Sequence, residues 1–141
     1  MKNIDKVCIR ETSESNIKFE EKKSKIVFQN LRRKCFSCIQ VDGCAIKEGV
    51  KCDYMLIAQE DKMEYYIELK GCNIKHAVEQ LEVTICQLSK DVQSSVKKAF
   101  VICIKNNYPS ATVQLDVKRL KKKYHAELII KETPYSYSLD G

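Results

Sequence analysis

The sequence of 141 residues predicts a single mixed α/β domain, and three features of its middle part carry that prediction. Residues 50–58 and 64–70 are rich in β-branched, aromatic and aliphatic residues and are separated by a polar turn, which is typical of a β-hairpin. An amphipathic helical repeat follows at 74–92. The next run, 99–104, is continuously apolar, as in a strand that is buried on both faces. Strand, helix and buried strand in this order predict a right-handed crossover with two parallel strands.

The segment before this core is predicted less sharply. Ser15 or Asn16 suits the N-cap of a helix that begins at Ile17. Two glutamates would then lie in its first turns, where the helix dipole favours acidic side chains. Residues 26–28 are compatible with a continuation of that helix or with the start of a strand, and both alternatives remain open.

From residue 34 onward the pattern changes to that of an antiparallel sheet. A strand over 34–41 leads into Asp42-Gly43, a strong signal for a short hairpin. A short strand at 44–46 and a second turn then precede the strand at 50–58. Three consecutive antiparallel strands therefore form a predicted meander.

The rest of the chain alternates between helix and strand. Asn73 suits the N-cap of the amphipathic helix. After the buried strand, a helix at about 111–123 and a strand at about 125–131 complete the domain. The tail at 135–138 is expected to be frayed or to pack at an edge.

The net charge of +6 is unevenly distributed. Residues 1–96 carry 16 Lys/Arg against 15 Asp/Glu, whereas residues 97–141 carry 9 against 4. A basic C-terminal part suits a polyanionic partner such as nucleic acid. The candidate phosphate contacts are on the predicted late helix, although a merely solvated basic face fits nearly as well; they are Lys118, Arg119, Lys121 and Lys122.

No segment predicts a membrane partner. No apolar run approaches the roughly 20 residues that span a bilayer. The N-terminal residues also lack the apolar core of a signal peptide, so the expected location is the cytoplasm.

Eight cysteines are many for this length. Without an export signal we expect reduced thiols that act mainly as small buried hydrophobes. The alternative is a zinc site, because Cys35-x₂-Cys38 has the spacing of a common ligand pair and Cys44 and Cys52 follow it. A spacing of three on a strand places the first two on opposite faces, which argues against that alternative.

Three side chains carry the candidate chemistry. Asp53 lies near the start of one hairpin strand, and Glu68 and Lys70 lie at the end of the next. Side chains alternate across a strand, so Glu68 and Lys70 share a face, and the two carboxylates can converge at the open end of the hairpin. Such an oxygen-rich site suits Mg²⁺ or Mn²⁺. An exposed strand with an ordinary Glu–Lys pair is the alternative for the same residues.

The stretch GVKCDYMLIAQEDKMEYYIELKG resembles the PD-(D/E)xK signature of the restriction-endonuclease-like nucleases. In that pattern an Asp begins one hairpin strand and the next strand ends in Glu-x-Lys. The resemblance covers roughly residues 17–104. It implies an αβββαβ core, with a mixed β-sheet flanked by helices, to which this chain adds a C-terminal helix and strand. In one departure, Cys52 stands where the pattern has proline.

The resemblance implies Mg²⁺-dependent or Mn²⁺-dependent hydrolysis of DNA phosphodiester bonds. Asp53 and Glu68 would bind the metal, and Lys70 would be the catalytic lysine. Gln80, on the following helix, would contact the phosphate or a metal-bound water. An acid on the first helix, Glu20 or its neighbour Glu21, would be a further metal ligand.

The small size suggests how such an enzyme would work. Little chain remains for sequence recognition, so a structure-selective, repair or defence nuclease with partners fits best. Cleavage of both DNA strands would favour a homodimer. Gly71 would allow the nucleic-acid backbone to approach closely. The alternative function is a non-catalytic nucleic-acid-binding or protein-interaction module on the same fold.

Overall fold

The computed structural model describes residues 4–70 and 73–140. A short 3-10 turn, Lys6–Cys8, opens this part of the chain. The strands and helices follow in the order β1 Ile9–Thr12, β2 Asn16–Glu21, β3 Ser24–Gln29, β4 Phe36–Gln40, β5 Tyr54–Ala58, β6 Glu64–Lys70, α1 Ile74–Leu88, β7 Lys97–Cys103, α2 Ser110–Tyr124, β8 Ala126–Glu132 and β9 Tyr135–Ser138.

The strands form two sheets, and the larger one is mixed. Its order is β1-β4-β5-β6-β7-β8, and the smaller sheet has the order β2-β3-β9. The strands β4, β5 and β6 form an antiparallel meander, while β6, β7 and β8 are parallel. The predicted meander and the predicted parallel pairing after the crossover helix are both confirmed.

The two faces of the large sheet are covered by different layers. Tyr66 and Val101 pack with residues of α1 and α2. Their chain neighbours Ile67 and Phe100 point to the other face and pack with Phe28 of the small sheet. The helices that flank the large sheet lie on one face of it. Two right-handed crossovers that advance in the same direction, β6–α1–β7 and β7–α2–β8, place both helices on one face.

The predicted helix beginning at Ile17 does not form, and its residues belong to the antiparallel hairpin β2–β3. Ile17 and Phe19 of β2 are buried, as are Ile26 and Phe28 of β3, so the burial period is two. A period of two buries one face of a strand, whereas a helix at these positions would turn half of these side chains into solvent. The first element of the expected αβββαβ order is therefore a β-hairpin.

Smaller corrections concern the ends of elements. No strand forms at 44–46, where a single bridge joins Asp42 and Ile46 within a loop. Helix α1 ends at Leu88 rather than near residue 92, because the Ser89 hydroxyl donates to the buried Glu64 carboxylate at 2.6 Å. The tail packs at an edge as one of the alternatives expected, since β9 pairs with β3.

The cysteines were expected to be reduced, and for two of them this is wrong. Cys8 and Cys44 form a disulfide that joins the start of β1 to the loop between β4 and β5. The two positions are close because β1 pairs with β4, immediately before that loop. Cys38, Cys52 and Cys103 are buried thiols that do not belong to this disulfide. Among the described helices, none is long and apolar enough to span a membrane.

Candidate active site

Asp53 is fixed at the end of the β5–β6 hairpin. Its backbone N–H donates to the carbonyl oxygen of Ile67 at 3.2 Å, which extends the antiparallel pairing by one residue. Its carboxylate oxygen Oδ2 accepts a hydrogen bond from the backbone N–H of Leu69 at 2.8 Å. The hairpin therefore places the Asp53 carboxylate beside the segment that carries Glu68 and Lys70.

Glu68 points from β6 towards α1 and is only 2% exposed. One carboxylate oxygen, Oε2, lies 3.6 Å from the Lys70 ammonium. The other oxygen, Oε1, is buried and has no hydrogen-bond partner among the described residues. A buried acceptor without a partner is costly, since it has lost its hydration and gained nothing in return.

The carboxylates of the site repel one another. Burial, and then the charge of Asp53, raise the pKa of Glu68 to about 8, against a smaller opposing effect of Lys70. Burial also raises the pKa of Asp53, partly offset by the hydrogen bond from Leu69. A buried carboxylate beside a half-buried one, both with elevated pKa values, is typical of a functional site, where a cation lowers the energy of the charged forms.

Gln80 of α1 supports the loop that leads into Asp53. Its side-chain nitrogen donates to the carbonyl oxygen of Lys51 at 2.8 Å. One turn later the Thr84 hydroxyl accepts from the Cys52 N–H at 2.7 Å. The amide oxygen of Gln80 is a second buried acceptor with no partner in the described part of the chain. Glu68 and Gln80 therefore each have a buried oxygen that could bind a cation or accept a hydrogen bond.

The structure distinguishes between the two candidate acids of β2. Glu20 lies on the outer side of the strand, where its carboxylate is 3.6 Å from the Lys18 ammonium, so Glu20 does not join the site. Side chains alternate along a strand, and the next residue, Glu21, therefore points the other way. Its charge raises the pKa values of Asp53 and Tyr54. Of the two candidate acids, Glu21 is therefore the one whose charge acts on Asp53, and Glu20 is not.

Arg119 is occupied by contacts between the two helices. Its guanidinium nitrogens lie 2.6 Å from the carboxylates of Asp116 and Glu82. Asp116 also accepts from the hydroxyl of Tyr108 at 2.9 Å. This network joins α1 to α2, so the guanidinium is not free for the phosphate contact that the sequence suggested.

The basic cluster of α2 lies away from the carboxylates. Lys118, Lys121 and Lys122 are exposed, but α2 runs antiparallel to β8, and its lysine-rich end leads into Ala126. Through the parallel register, Ala126 is level with Glu64, at the start of β6. Six residue steps of about 3.3 Å then place this end about 20 Å from Lys70. The structure does not bring these lysines to the candidate site.

The zinc alternative finds no support in the described residues. Among them, no group of three or more His, Cys, Asp or Glu side chains is placed to hold a metal ion. Cys44 is bonded to Cys8, and Cys35 is exposed while Cys38 is buried. Asp53 and Glu68 form a pair of carboxylates, which is the number that Mg²⁺ often takes from a protein when waters and phosphate oxygens complete its shell. Gly71 lies outside the described residues.

Sequence reasoning missed the residues that hold the site together. The Ser24 hydroxyl donates to the Lys70 carbonyl oxygen at 2.9 Å, which ties the small sheet to the end of β6. No local sequence pattern predicts this hydrogen bond, because the two residues are 46 positions apart in the chain. A cavity of about 390 Å³ borders Tyr54 on the β1–β2 side and is lined by none of the three proposed catalytic side chains.

No protein-family model, curated protein or solved structure gives a significant match to this chain.

Proposed function

We propose that this protein is a Mg²⁺-dependent nuclease of the restriction-endonuclease-like PD-(D/E)xK type that hydrolyses DNA phosphodiester bonds. The observation that carries the proposal is the buried oxygen of Glu68 that has no hydrogen-bond partner among the described residues and lies beside Asp53 and Lys70 at the open end of a hairpin. An apolar or fully paired residue at this place would stabilise the fold better. A buried carboxyl group whose oxygen lacks such a partner is therefore best explained by a cationic ligand.

Asp53 and Glu68 would hold Mg²⁺ or Mn²⁺. Both are hard oxygen ligands, and each is fixed by the strand pairing around it. The bound ion would neutralise phosphate charge and lower the pKa of a coordinated water. The pKa of Glu68, raised to about 8, means that the metal-free carboxyl holds a proton at neutral pH and releases it when a cation binds.

Lys70 and Gln80 are the other two proposed catalytic residues. The Lys70 side chain is 25% exposed, so its ammonium can contact Glu68 and a phosphate that arrives from solvent. There it would stabilise the negative charge that develops on the phosphoryl oxygens, or orient the attacking water. The nitrogen of Gln80 already holds the loop at Lys51. Its unpartnered oxygen is therefore the atom that would accept a hydrogen bond from that water.

The order of elements supports the proposal from Phe36 onward, where β4, β5, β6, α1 and β7 follow the expected βββαβ order. The hairpin β2–β3 takes the place of the expected first helix. The small size favours a structure-selective nuclease of a repair or defence system that works with partners, and double-strand cleavage would favour a homodimer.

The test is cleavage of supercoiled plasmid and of single-stranded DNA in Mg²⁺ or Mn²⁺. We expect nicking or degradation that EDTA abolishes, and that Asp53→Ala and Lys70→Ala each reduce by at least about a hundredfold, as for removal of one catalytic group. Asp42→Ala is the matched control, since the exposed Asp42 carboxylate acts on the Asp53 carboxylate through its charge, and alanine keeps the backbone N–H that donates to the Asp53 carbonyl oxygen.

Metal binding without cleavage would support the metal site and show that neither of the two DNA forms tried is the substrate. Neither cleavage nor metal binding would favour the non-catalytic nucleic-acid-binding or interaction module. Equal loss in Asp53→Ala and Asp42→Ala would mean that general charge, not ligation, underlies the effect.

Mg²⁺ affinity should increase with pH. With a pKa of about 8, the metal-free Glu68 carboxyl is about one-tenth ionised at pH 7 and nearly fully ionised at pH 9. Since only the ionised form binds the cation, the apparent association constant should rise about tenfold over this range. Calorimetry with Mg²⁺ alone at pH 7, 8 and 9 measures this. A pH-independent affinity would show that Glu68 is not a ligand.

A further inference from the structure

The turn of the β2–β3 hairpin is anchored to the end of the large sheet that carries the carboxylates. Its last strand pair is Glu21 with Ser24. The Ser24 hydroxyl donates to the Lys70 carbonyl oxygen, and the N–H of Lys25 donates to the hydroxyl of Thr133 at 2.9 Å. Thr133 directly follows β8. The turn is therefore held at the ends of both β6 and β8, next to the candidate active site.

The two residues of this turn are lysines, Lys22 and Lys23, and both are exposed. Neither forms a salt bridge with any residue in the described ranges. We call this pair the lysine tip. Two unpaired positive charges thus stand at the edge of a site whose own buried groups are mainly carboxylates.

The backbone conformation of Lys22 is one that lysine does not favour. Lys22 has a φ of 54°, in the left-handed region. Glycine, asparagine or aspartate is the usual residue at such a turn position, and a lysine there costs about 1 kcal/mol. Lysine is therefore not at position 22 to favour the turn, and its exposed ammonium, at the edge of the site, is available for a contact with a ligand.

The position of the tip contrasts with that of the lysine-rich end of α2. The C-terminal end of α2, at Tyr124, lies about 20 Å from Lys70 along the sheet, whereas the tip is tied to Lys70 through Ser24. Flexible lysine side chains at the edge of the site provide charge without base-specific contacts.

We propose that the lysine tip, Lys22 and Lys23, binds the phosphodiester backbone of the nucleic acid beside the bond to be cleaved, and that the lysine cluster of α2 does not. This inference rests on the proposed nuclease function and extends it to the surface that receives the substrate. The contacts are electrostatic and independent of sequence, so they set affinity rather than base preference.

The experiment compares two double variants of the full chain that lose the same charge. In the first, Lys22→Gly and Lys23→Gln neutralise the tip; in the second, Lys121→Gln and Lys122→Gln neutralise the α2 cluster. The affinity for a fluorescent DNA duplex is measured in EDTA, where no cleavage occurs, over a series of salt concentrations. We expect the tip variant to bind about tenfold more weakly, with a salt slope smaller by nearly 2, and the α2 variant to change less than twofold.

A further control separates the effect of losing the Lys22 charge from the effect of relieving strain in the backbone. Lys62 also has a positive φ, 63°, but lies in the turn before β6, at the far end of that strand. Lys62→Gly should therefore relieve the same backbone strain as Lys22→Gly without weakening DNA binding. Thermal unfolding of all variants confirms that each is folded.

The outcomes distinguish this inference from the proposed function. Under cleavage conditions the tip variant should show a raised KM with kcat nearly unchanged. If the wild type cleaves DNA but the tip variant binds as tightly as the wild type, or if the α2 variant loses as much affinity, the inference is overturned and the nuclease stands. If the wild type neither binds nor cleaves DNA, both fail.

Discussion

Glu68→Gln is expected to abolish metal-dependent cleavage and at the same time to stabilise the fold at alkaline pH. Burial raises the pKa of Glu68 from 4.5 to about 8, so the folded protein holds a proton that the unfolded chain releases between these values. Stability therefore falls as pH rises from about 4.5, and this penalty is complete above about pH 8. Glutamine does not ionise, so the variant avoids the penalty.

The gain should be small at pH 5 and on the order of 4 kcal/mol at pH 9. Urea denaturation of metal-free protein at both pH values measures it, and plasmid cleavage in Mg²⁺ measures the loss of activity. Saturating Mg²⁺ should narrow the difference, because it stabilises only the wild type. A variant that is less stable than the wild type at pH 9 would contradict the prediction.

Glu64→Gln provides the matched control, since Glu64 is a second buried glutamate on the same face of β6. Its carboxylate accepts hydrogen bonds from the Tyr66 and Ser89 hydroxyls and from the N–H of Lys90. Because this carboxylate is fully paired, its replacement should destabilise the fold by about 1–3 kcal/mol while leaving Mg²⁺ affinity unchanged. Opposite effects on stability at two buried glutamates would identify Glu68 as a ligand site.

The central part of the fold could be predicted because its local patterns agree with its tertiary environment. The strand at Glu64–Lys70 was predicted with its observed bounds. The apolar run after α1 is buried on both faces from Ala99 to Cys103, as its composition indicated, whereas its last residue, Ile104, is exposed. Alternation along a hairpin then brings Asp53 towards Glu68 and Lys70 without further information.

The parts that failed depend on distant partners. The hairpin β2–β3 carries a helix-cap pattern at Ser15-Asn16 as well as a period of two, and β9, about 110 residues later, pairs with β3. A local sequence pattern contains no information about the pairing of β3 with so distant a strand. The place of the basic cluster likewise follows from the direction of α2 relative to β8, not from its composition. The disulfide of Cys8 and Cys44 requires the β1–β4 pairing, which the sequence did not reveal.

Lys97→Met is expected to destabilise the fold by about 3 kcal/mol without impairing the site. The Lys97 ammonium is fully buried and donates to three backbone carbonyl oxygens, those of Val92, Ser95 and Tyr124, at 3.1, 2.6 and 2.7 Å. Burial lowers the pKa of this lysine. Methionine fills a similar volume but leaves the three acceptors without their donor. Urea denaturation at pH 7 measures the loss.

Lys98→Met is the control, because Lys98 is the next residue, is partly exposed and makes one ion pair with Glu127. Its replacement should cost less than about 1 kcal/mol. The buried ammonium closes the loop before β7 onto the end of α2, at the end of the sheet opposite Lys70. Below its unfolding temperature, Lys97→Met should therefore keep the wild-type kcat. A loss of kcat in folded protein would contradict this prediction. It would show that the end of the sheet at Lys97 is coupled to the candidate active site at Lys70.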